Sequence, residues 1–210
     1  MPTQRFLNLP NEKRKKIEYT AIREFSEIPL FEVSINQIIK KADISHGSFY
    51  TYFRNKEDLV QYLLQDFQKK CRSWVLESME INNGDIFQVT RNAMTELMDH
   101  GMKQLNFDFY KNILLNTKIF ANLSLIGFEG LIYQDKNFHQ FVSKCYCVLN
   151  KNECPVKSTS ELACLMEMLL LLAFKSTALY FMGRAEKKDI LNVLDCQLQI
   201  LKQGVGAKIR

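Results

Sequence analysis

An all-α fold is predicted, with short helices first and longer ones after. Three observations carry the expectation. No proline lies between Pro29 and Pro155. Apolar residues recur three and four positions apart, the spacing that lines one face of a helix. No stretch shows the β-branched alternation of a strand.

The elements follow in order. A first helix begins near Leu9 or Pro10, because proline is tolerated in a first turn. Ile17, Ala21 and Phe25 form its apolar stripe, and Pro29 ends the helical region. A second, short helix begins at Ser34. The run Ser34-Ile35-Asn36-Gln37 reads as a capping box, with Ser34 bonding the Gln37 amide and Gln37 reaching back. Ile35, Ile38, Ile39 and Ala42 supply its buried face. The chain breaks at Asp43-Ile44, and Ser45 caps a third helix over 46–53. Asn55 caps a fourth, running to about Met79. Beyond the Asn82-Asn83-Gly84 turn, helices are expected over 86–100, 108–116, 123–133 and 136–150. A loop at 151–155 follows. Ser158 or Ser160 then opens a long helix to about Met182, and 186–203 forms the last. No internal repeat is visible.

Composition bounds the class. The chain has 210 residues, of which 47% are hydrophobic and 24% charged, close to the soluble globular average. Only 8 Gly and 4 Pro are present, which excludes collagenous and low-complexity classes. The N-terminal segment has no apolar run of signal-peptide length. The most apolar stretch, from Leu162 to Phe174, contains Glu167 and falls short of the roughly 20 residues of a membrane span. A cytoplasmic protein without membrane insertion is expected. The six cysteines (Cys71, Cys145, Cys147, Cys154, Cys164 and Cys196) contain no CxxC pair, so they read as reduced, small apolar residues with no metal bound.

Charge is unevenly placed. Residues 1–56 hold ten of the 28 basic residues and six of the 23 acidic ones, so they carry most of the net +5. Such an asymmetry suits a polyanionic partner at that end.

Three short helices with a tight turn between the second and third match a helix-turn-helix. The third helix would enter the major groove, so its first residues must be small or polar. Here they are Ser45, His46, Gly47 and Ser48. Phe49 and Phe53 can face inward, while Tyr50, Thr51 and Tyr52 point outward or sideways, with hydroxyls that can donate to phosphate. Lys56 sits in the first turn of the fourth helix, where a cation opposes the helix dipole unless an anion docks there. An ordinary bundle corner with exposed tyrosines has the same periodicity.

The run from Val33 to Leu59 also resembles the DNA-binding segment of the TetR family of bacterial one-component regulators. Its most specific parts are Gly47-Ser48-Phe49-Tyr50-Thr51-Tyr52-Phe53 and Asn55-Lys56-Glu57-Asp58-Leu59; the resemblance spans Ile17 to Leu64. Departures are Asp43 at a turn where the family usually has Gly, Pro29-Leu30-Phe31 in the preceding loop, and His46 where a basic residue is usual. The resemblance implies that Ser34, Gln37, Tyr50, Tyr52 and Lys56 touch phosphate, and that His46, Gly47, Ser48 and Thr51 face base edges. It also implies no cofactor and a double-stranded DNA operator as partner.

Two leucine seams follow in the last helices. Leu162, Leu165, Leu169, Leu172, Ser176 and Leu179 are spaced alternately three and four apart, as are Leu191, Leu194, Leu198 and Leu201. Each helix is apolar on a second side too, through Met166, Ala173 and Tyr180 or Ile190, Val193 and Ile200. One face would serve the subunit core and the other a partner. In the resembled family the last two helices form a dimer interface, which assigns Leu165, Leu169, Leu172, Leu179, Leu191, Leu194, Leu198 and Leu201 to a homodimer contact. Burial of both faces in one monomer is the alternative.

Middle aromatics (Phe107, Phe109, Tyr110, Phe120, Phe128, Tyr133, Phe138, Phe141 and Tyr146) would line a small-effector cavity or simply form core. No effector-binding residue stands out; His100 and His139 could orient a ligand or bind metal, but lone histidines are more often surface or satisfied residues. No nucleophile–base motif, phosphate loop or HExxH pair points to an enzyme.

The expected domains are thus 1–56, a helix-turn-helix DNA-binding domain, and 57–210, a helical effector-binding and dimerisation domain. The function implied is a ligand-responsive regulator, chiefly a repressor, that binds a palindromic operator as a dimer and is released by a small, largely apolar effector. The alternative is a DNA-binding regulator without an effector, controlled by a partner protein or by abundance.

Overall fold

A computed structural model describes residues 2–101, 107–114 and 136–206. Ten helices and no strands occur among them: α1 (Gln4–Leu7), α2 (Asn11–Glu27), α3 (Ile35–Ala42), α4 (His46–Tyr52), α5 (Lys56–Ile81), α6 (Ile86–His100), α7 (Phe107–Leu114), α8 (Lys136–Val148), α9 (Thr159–Phe181) and α10 (Lys187–Gly206). The helix expected over 123–133, and with it Phe120, Phe128 and Tyr133, lies outside the described residues. α1 was not expected.

The chain divides into two compact units. Among the described residues, one comprises 2–69 and 107–114, the other 70–101 and 136–206. The division thus falls inside α5, the helix from about residue 56 that the sequence reads as linking the two domains. The reason is visible in the first unit. Leu59, Val60, Leu63 and Leu64 of α5 are buried with Ile17, Ala21 and Phe25 of α2 and Ile38, Ile39 and Ala42 of α3. The early turns of α5 are therefore part of the helix-turn-helix core. Ile35 and Ile44, expected in that core, are only half-buried.

α7 packs on α2 in the same unit. Phe109 is fully buried beside Phe25, with ring centroids 6.1 Å apart. The Asn112 side chain donates to the carbonyls of Phe25 (3.1 Å) and Ser26 (2.7 Å). Those carbonyls belong to the last turn of α2, where helical partners run out.

The second unit packs α6, α8, α9 and α10 with the later turns of α5. Its core holds Met79, Phe87, Val89, Phe138, Val142, Leu162, Leu165, Leu169, Leu194 and Leu198. The turn between α5 and α6 touches the loop after α8. The Asn150 amide donates to the Gly84 carbonyl at 3.1 Å, and Gly84 has φ +76°. A Cβ there would lie 2.2 Å from the Val148 carbonyl oxygen. Glycine is required on both counts.

The leucine seams correct the sequence expectation. Leu165, Leu169, Leu191, Leu194 and Leu198 are buried within the chain itself, and Leu172, Leu179 and Leu201 pack partly buried against the same core. They hold the subunit together. The outward positions are others: Cys164, Met168 and Leu171 on α9, and Val193, Cys196 and Ile200 on α10. Periodicity could show that two faces were apolar, but both faces had the same spacing, so it could not say which was inside.

α9 is also long and apolar enough, by length and composition, to cross a membrane, with a mean hydropathy of 1.8. In the sequence the unbroken apolar stretch ends at Phe174, before Lys175, but the helix carries on to Phe181. Its buried residues belong to the core just described.

Four of the helix starts are set by capping side chains. Ser45 Oγ accepts from the Ser48 amide at 3.1 Å, and Asn55 Oδ1 from the Asp58 amide at 2.8 Å. Asp85 Oδ1 accepts from the Phe87 and Gln88 amides, and Ser158 Oγ from that of Glu161. Ser34 precedes α3 in an extended conformation but makes no side-chain cap, so the expected capping box does not form. The Gln37 amide bonds the Ser34 carbonyl instead.

All six cysteines are free. Burial pushes the Cys145 thiol up to about 12 and raises that of Cys154, which suits their role as small core residues.

Candidate nucleic-acid interface

The turn between α3 and α4 is where the site begins. Asp43 ends α3 in the left-handed conformation, φ 57° and ψ 52°. The Ile44 amide then reaches back to the Ile39 carbonyl at 3.2 Å, closing the helix end. Asp is one of the few side chains that enter this region at modest cost. It therefore replaces the more usual glycine, and Lys16 lies 3.6 Å from its carboxylate.

Phe49 is fully buried, and Phe53 with it, which anchors α4 by its inner face. The opposite face carries His46, Gly47 and Tyr50, all exposed, with Ser48 and Thr51 half-exposed. His46 Nε2 lies 3.1 Å from Asn36 Oδ1 of α3, and its ring lies 5.1 Å from that of Tyr50. Asn36 therefore fixes the imidazole at the start of α4. In the sequence Asn36 was only a spacer inside the capping box, so nothing singled it out. The Thr51 hydroxyl donates to the Gly47 carbonyl at 2.7 Å. Nothing lies within 4 Å of where a Gly47 Cβ would stand. The fold does not need a glycine at that position; the open space faces outward.

Three of the candidate residues sit differently from the expectation. Tyr52 does not point outward: it is 8% exposed, with its ring 5.7 Å from that of Phe6. Ser34 is half-buried while Gln37 is exposed. Lys56 is half-buried, and its ammonium donates to the carbonyls of Phe31 and Val33, both at 3.2 Å. Burial lowers its pKa. The two carbonyls, with Glu57 and Asp58 beside it in the first turn, answer the dipole conflict seen in the sequence. Two of the three N–H donors of the ammonium are thus used inside the chain.

Much of the basic excess is paired within the unit. Arg14 lies 3.7 Å from Glu18, Arg23 3.0 Å from Glu27, and Arg54 2.9 Å from Asp58. Lys41 pairs with the buried Glu24. Lys13, Lys15 and Lys40 are exposed. Burial pushes the Asp58 carboxyl up, but charge-assisted hydrogen bonds, Arg54 among them, outweigh it and hold the group below the usual range. Among the described residues, no group of three or more His, Cys, Asp and Glu could hold a metal ion.

A short helix with a polar outer face, set on a second helix by a left-handed turn, is the helix-turn-helix of a DNA-binding regulator. Comparison with known proteins names the kind. Residues 19–63 match the model of bacterial regulatory proteins of the tetR family, and residues 85–205 match the tetracyclin repressor-like C-terminal domain. The chain belongs to the tetR family of transcriptional regulators. It is 36% identical over 73 residues to the HTH-type transcriptional regulator YdgC of Bacillus subtilis, covering 35% of this chain and 37% of that one. It is 26% identical over 124 residues to the regulator SAB2452 of Staphylococcus aureus, covering 59% and 63%. The chain thus spans less than two thirds of the length of these relatives.

A TetR-family regulator from Syntrophomonas wolfei shares the fold over 95% of this chain and 98% of its own, with a TM-score of 0.61 and 20% identity. Another from Mesorhizobium loti covers 90% and 94%, with a TM-score of 0.53 and 18% identity.

Proposed function

We propose that the chain is a ligand-responsive transcriptional repressor, cytoplasmic and homodimeric, that binds a palindromic operator and is released by a small, largely apolar effector. The observation that carries the reading is the exposed apolar face of α9 and α10. Met168, Leu171 and Val193 are 47%, 44% and 52% exposed, and Ile200 62%. Large aliphatic groups grouped on two packed helices mark a contact surface. A second copy of the chain is the occupant that fits best. One chain carries one helix-turn-helix, and a two-fold dimer presents two of them to half-sites one helical turn apart.

Base reading falls to His46, Gly47, Ser48 and Thr51 at the exposed side of α4. Tyr50, Gln37 and the remaining donor of Lys56 supply phosphate contacts, which fix the register without reading sequence. Tyr52 contributes less than the sequence suggested, since its ring is withdrawn from the surface, while the half-buried Ser34 stays among the phosphate contacts. Effector binding rests on family membership and on the size of the second unit, which far exceeds what DNA contact requires. An effector acts by favouring a state whose two recognition helices no longer match the half-site spacing.

Selection of duplexes from a randomised pool by the full chain tests the reading. An inverted repeat with two chains per duplex is expected, and a panel of small apolar compounds should include one that releases it. Enrichment of a single, non-repeated half-site by a monomer would contradict the dimer, and enrichment of nothing would contradict operator binding.

A further inference from the structure

The segment ahead of α2 lies outside the residues matched by the family's DNA-binding model, which begin at residue 19. It nevertheless grips the recognition helix. The Thr3 amide donates to the Tyr52 carbonyl at 3.0 Å, and the Thr3 hydroxyl to the Thr51 carbonyl at 2.7 Å. Both acceptors are at the C-terminal end of α4, where helical carbonyls have no partner in the helix itself. Phe6 of α1 is fully buried. Its ring lies 4.7 Å from Phe53, 5.1 Å from Tyr62 and 5.7 Å from Tyr52. Tyr62 in turn donates to Glu18 of α2 at 2.5 Å, and Arg14 of α2 donates to the Leu7 carbonyl at 3.2 Å. One aromatic side chain thus closes the corner between α2, α4 and α5.

We propose that this segment is a latch on the recognition helix, and that Thr3 and Phe6 are positioning residues for operator binding. The inference rests on α4 being the helix that enters the groove. α4 is only 7 residues long and is followed directly by the extended Phe53. A helix of two turns does not hold itself in place, because isolated short helices are marginal in water. Its N-terminal end is capped by Ser45, and its inner face by Phe49. The C-terminal end is held from outside, by Thr3 and Phe6. Opening the latch frees two carbonyls and uncovers Tyr52, so α4 becomes free to fray and tilt. Groove entry requires α4 fixed, and binding must then supply the ordering that the latch supplies beforehand. Operator binding and latch closure are therefore linked, and each strengthens the other.

The test uses the full chain, a duplex enriched from a randomised pool, and the variants F6A, F6L and T3V. Affinity is measured well below each variant's Tm, where every chain is folded, alongside hydrogen exchange of the amides of α4 and, as a reference, of α6. The expected result is at least a tenfold weaker Kd for F6A, a few-fold weaker Kd for T3V, and near-parental binding for F6L. Exchange in α4 should speed up in F6A while that in α6 stays unchanged. If F6A fails to fold, T3V decides on the same two readouts. A lowered Tm with unchanged Kd and unchanged α4 exchange would overturn the latch and leave the segment purely structural. An unaltered chain that enriches no duplex would overturn the DNA-binding reading, and this inference with it.

Discussion

Two glutamate substitutions six residues apart on α10 should have opposite consequences. Ile200 is 62% exposed, and Leu194 is 0% exposed. Fully burying an aliphatic side chain stabilises by about 1.5–3 kcal/mol. Ile200 therefore still has about 1–2 kcal/mol to gain from a partner. In a two-fold interface it counts twice, so I200E removes about 2–4 kcal/mol from dimerisation before the desolvation of two carboxylates is added. At 1.4 kcal/mol per tenfold, the dimer Kd rises by about 30- to 700-fold, while the subunit keeps its thermal stability. L194E is different in kind. Truncating a buried leucine alone costs about 2–5 kcal/mol, and an unpaired buried carboxylate adds to that. Against a total stability of about 5–15 kcal/mol, the variant should be largely unfolded. Sedimentation velocity over a concentration series and thermal circular dichroism read both outcomes. A parental sedimentation profile for I200E, or a parental Tm for L194E, would refute the assignment of inner and outer faces.

Other substitutions separate folding from function. G47A fills open space on an exposed helical position, so it should raise stability by about 0.5–1 kcal/mol in urea titrations. The same methyl should weaken duplex binding by crowding the groove face of α4, and improved or unchanged binding would remove Gly47 from the interface. G84A should lose about 3 kcal/mol or more in the same titration. It forces a side chain into a left-handed turn (about 1–2 kcal/mol) and onto the Val148 carbonyl, and it displaces the Asn150 hydrogen bond (about 0.5–1.5 kcal/mol). A loss below about 1 kcal/mol would show that the turn shifts freely.

Asp58 supplies a pH dependence. Its carboxyl is held below the usual range in the folded chain, so its contribution is present above the unfolded value of about 3.9. That contribution is lost as the pH falls through the lower folded value. D58N should therefore lower Tm at neutral pH and flatten its acid decline below about pH 4, and an unchanged acid limb would contradict the Arg54–Asp58 contact.

Much of the helix-turn-helix was legible because its determinants are local. Ser45 and Asn55 cap through their own side chains, and Asp43 is a residue type that tolerates a left-handed turn. Phe49 and Phe53 are four apart, and both are buried. What was missed depends on contacts distant in sequence. Thr3 reaches the carbonyls of Thr51 and Tyr52 while the Phe6 ring packs on that of Tyr52, and no spacing rule connects residues 48 apart. Lys56 finds carbonyls in the loop at 31–33, so the dipole conflict had a resolution inside the chain. Asn112 caps α2 from 86 residues away. The leucine seams failed for another reason: α9 and α10 are apolar on two sides, and only tertiary packing decides which side faces inward.

The central claim is that α4 reads an operator as part of a dimer. Fluorescence anisotropy of the full chain on the selected duplex and on a scrambled one, at two salt concentrations, tests it most directly. The account predicts nanomolar, sequence-dependent binding at two chains per duplex, weakening as salt rises. Equal, weak binding to both duplexes would contradict it.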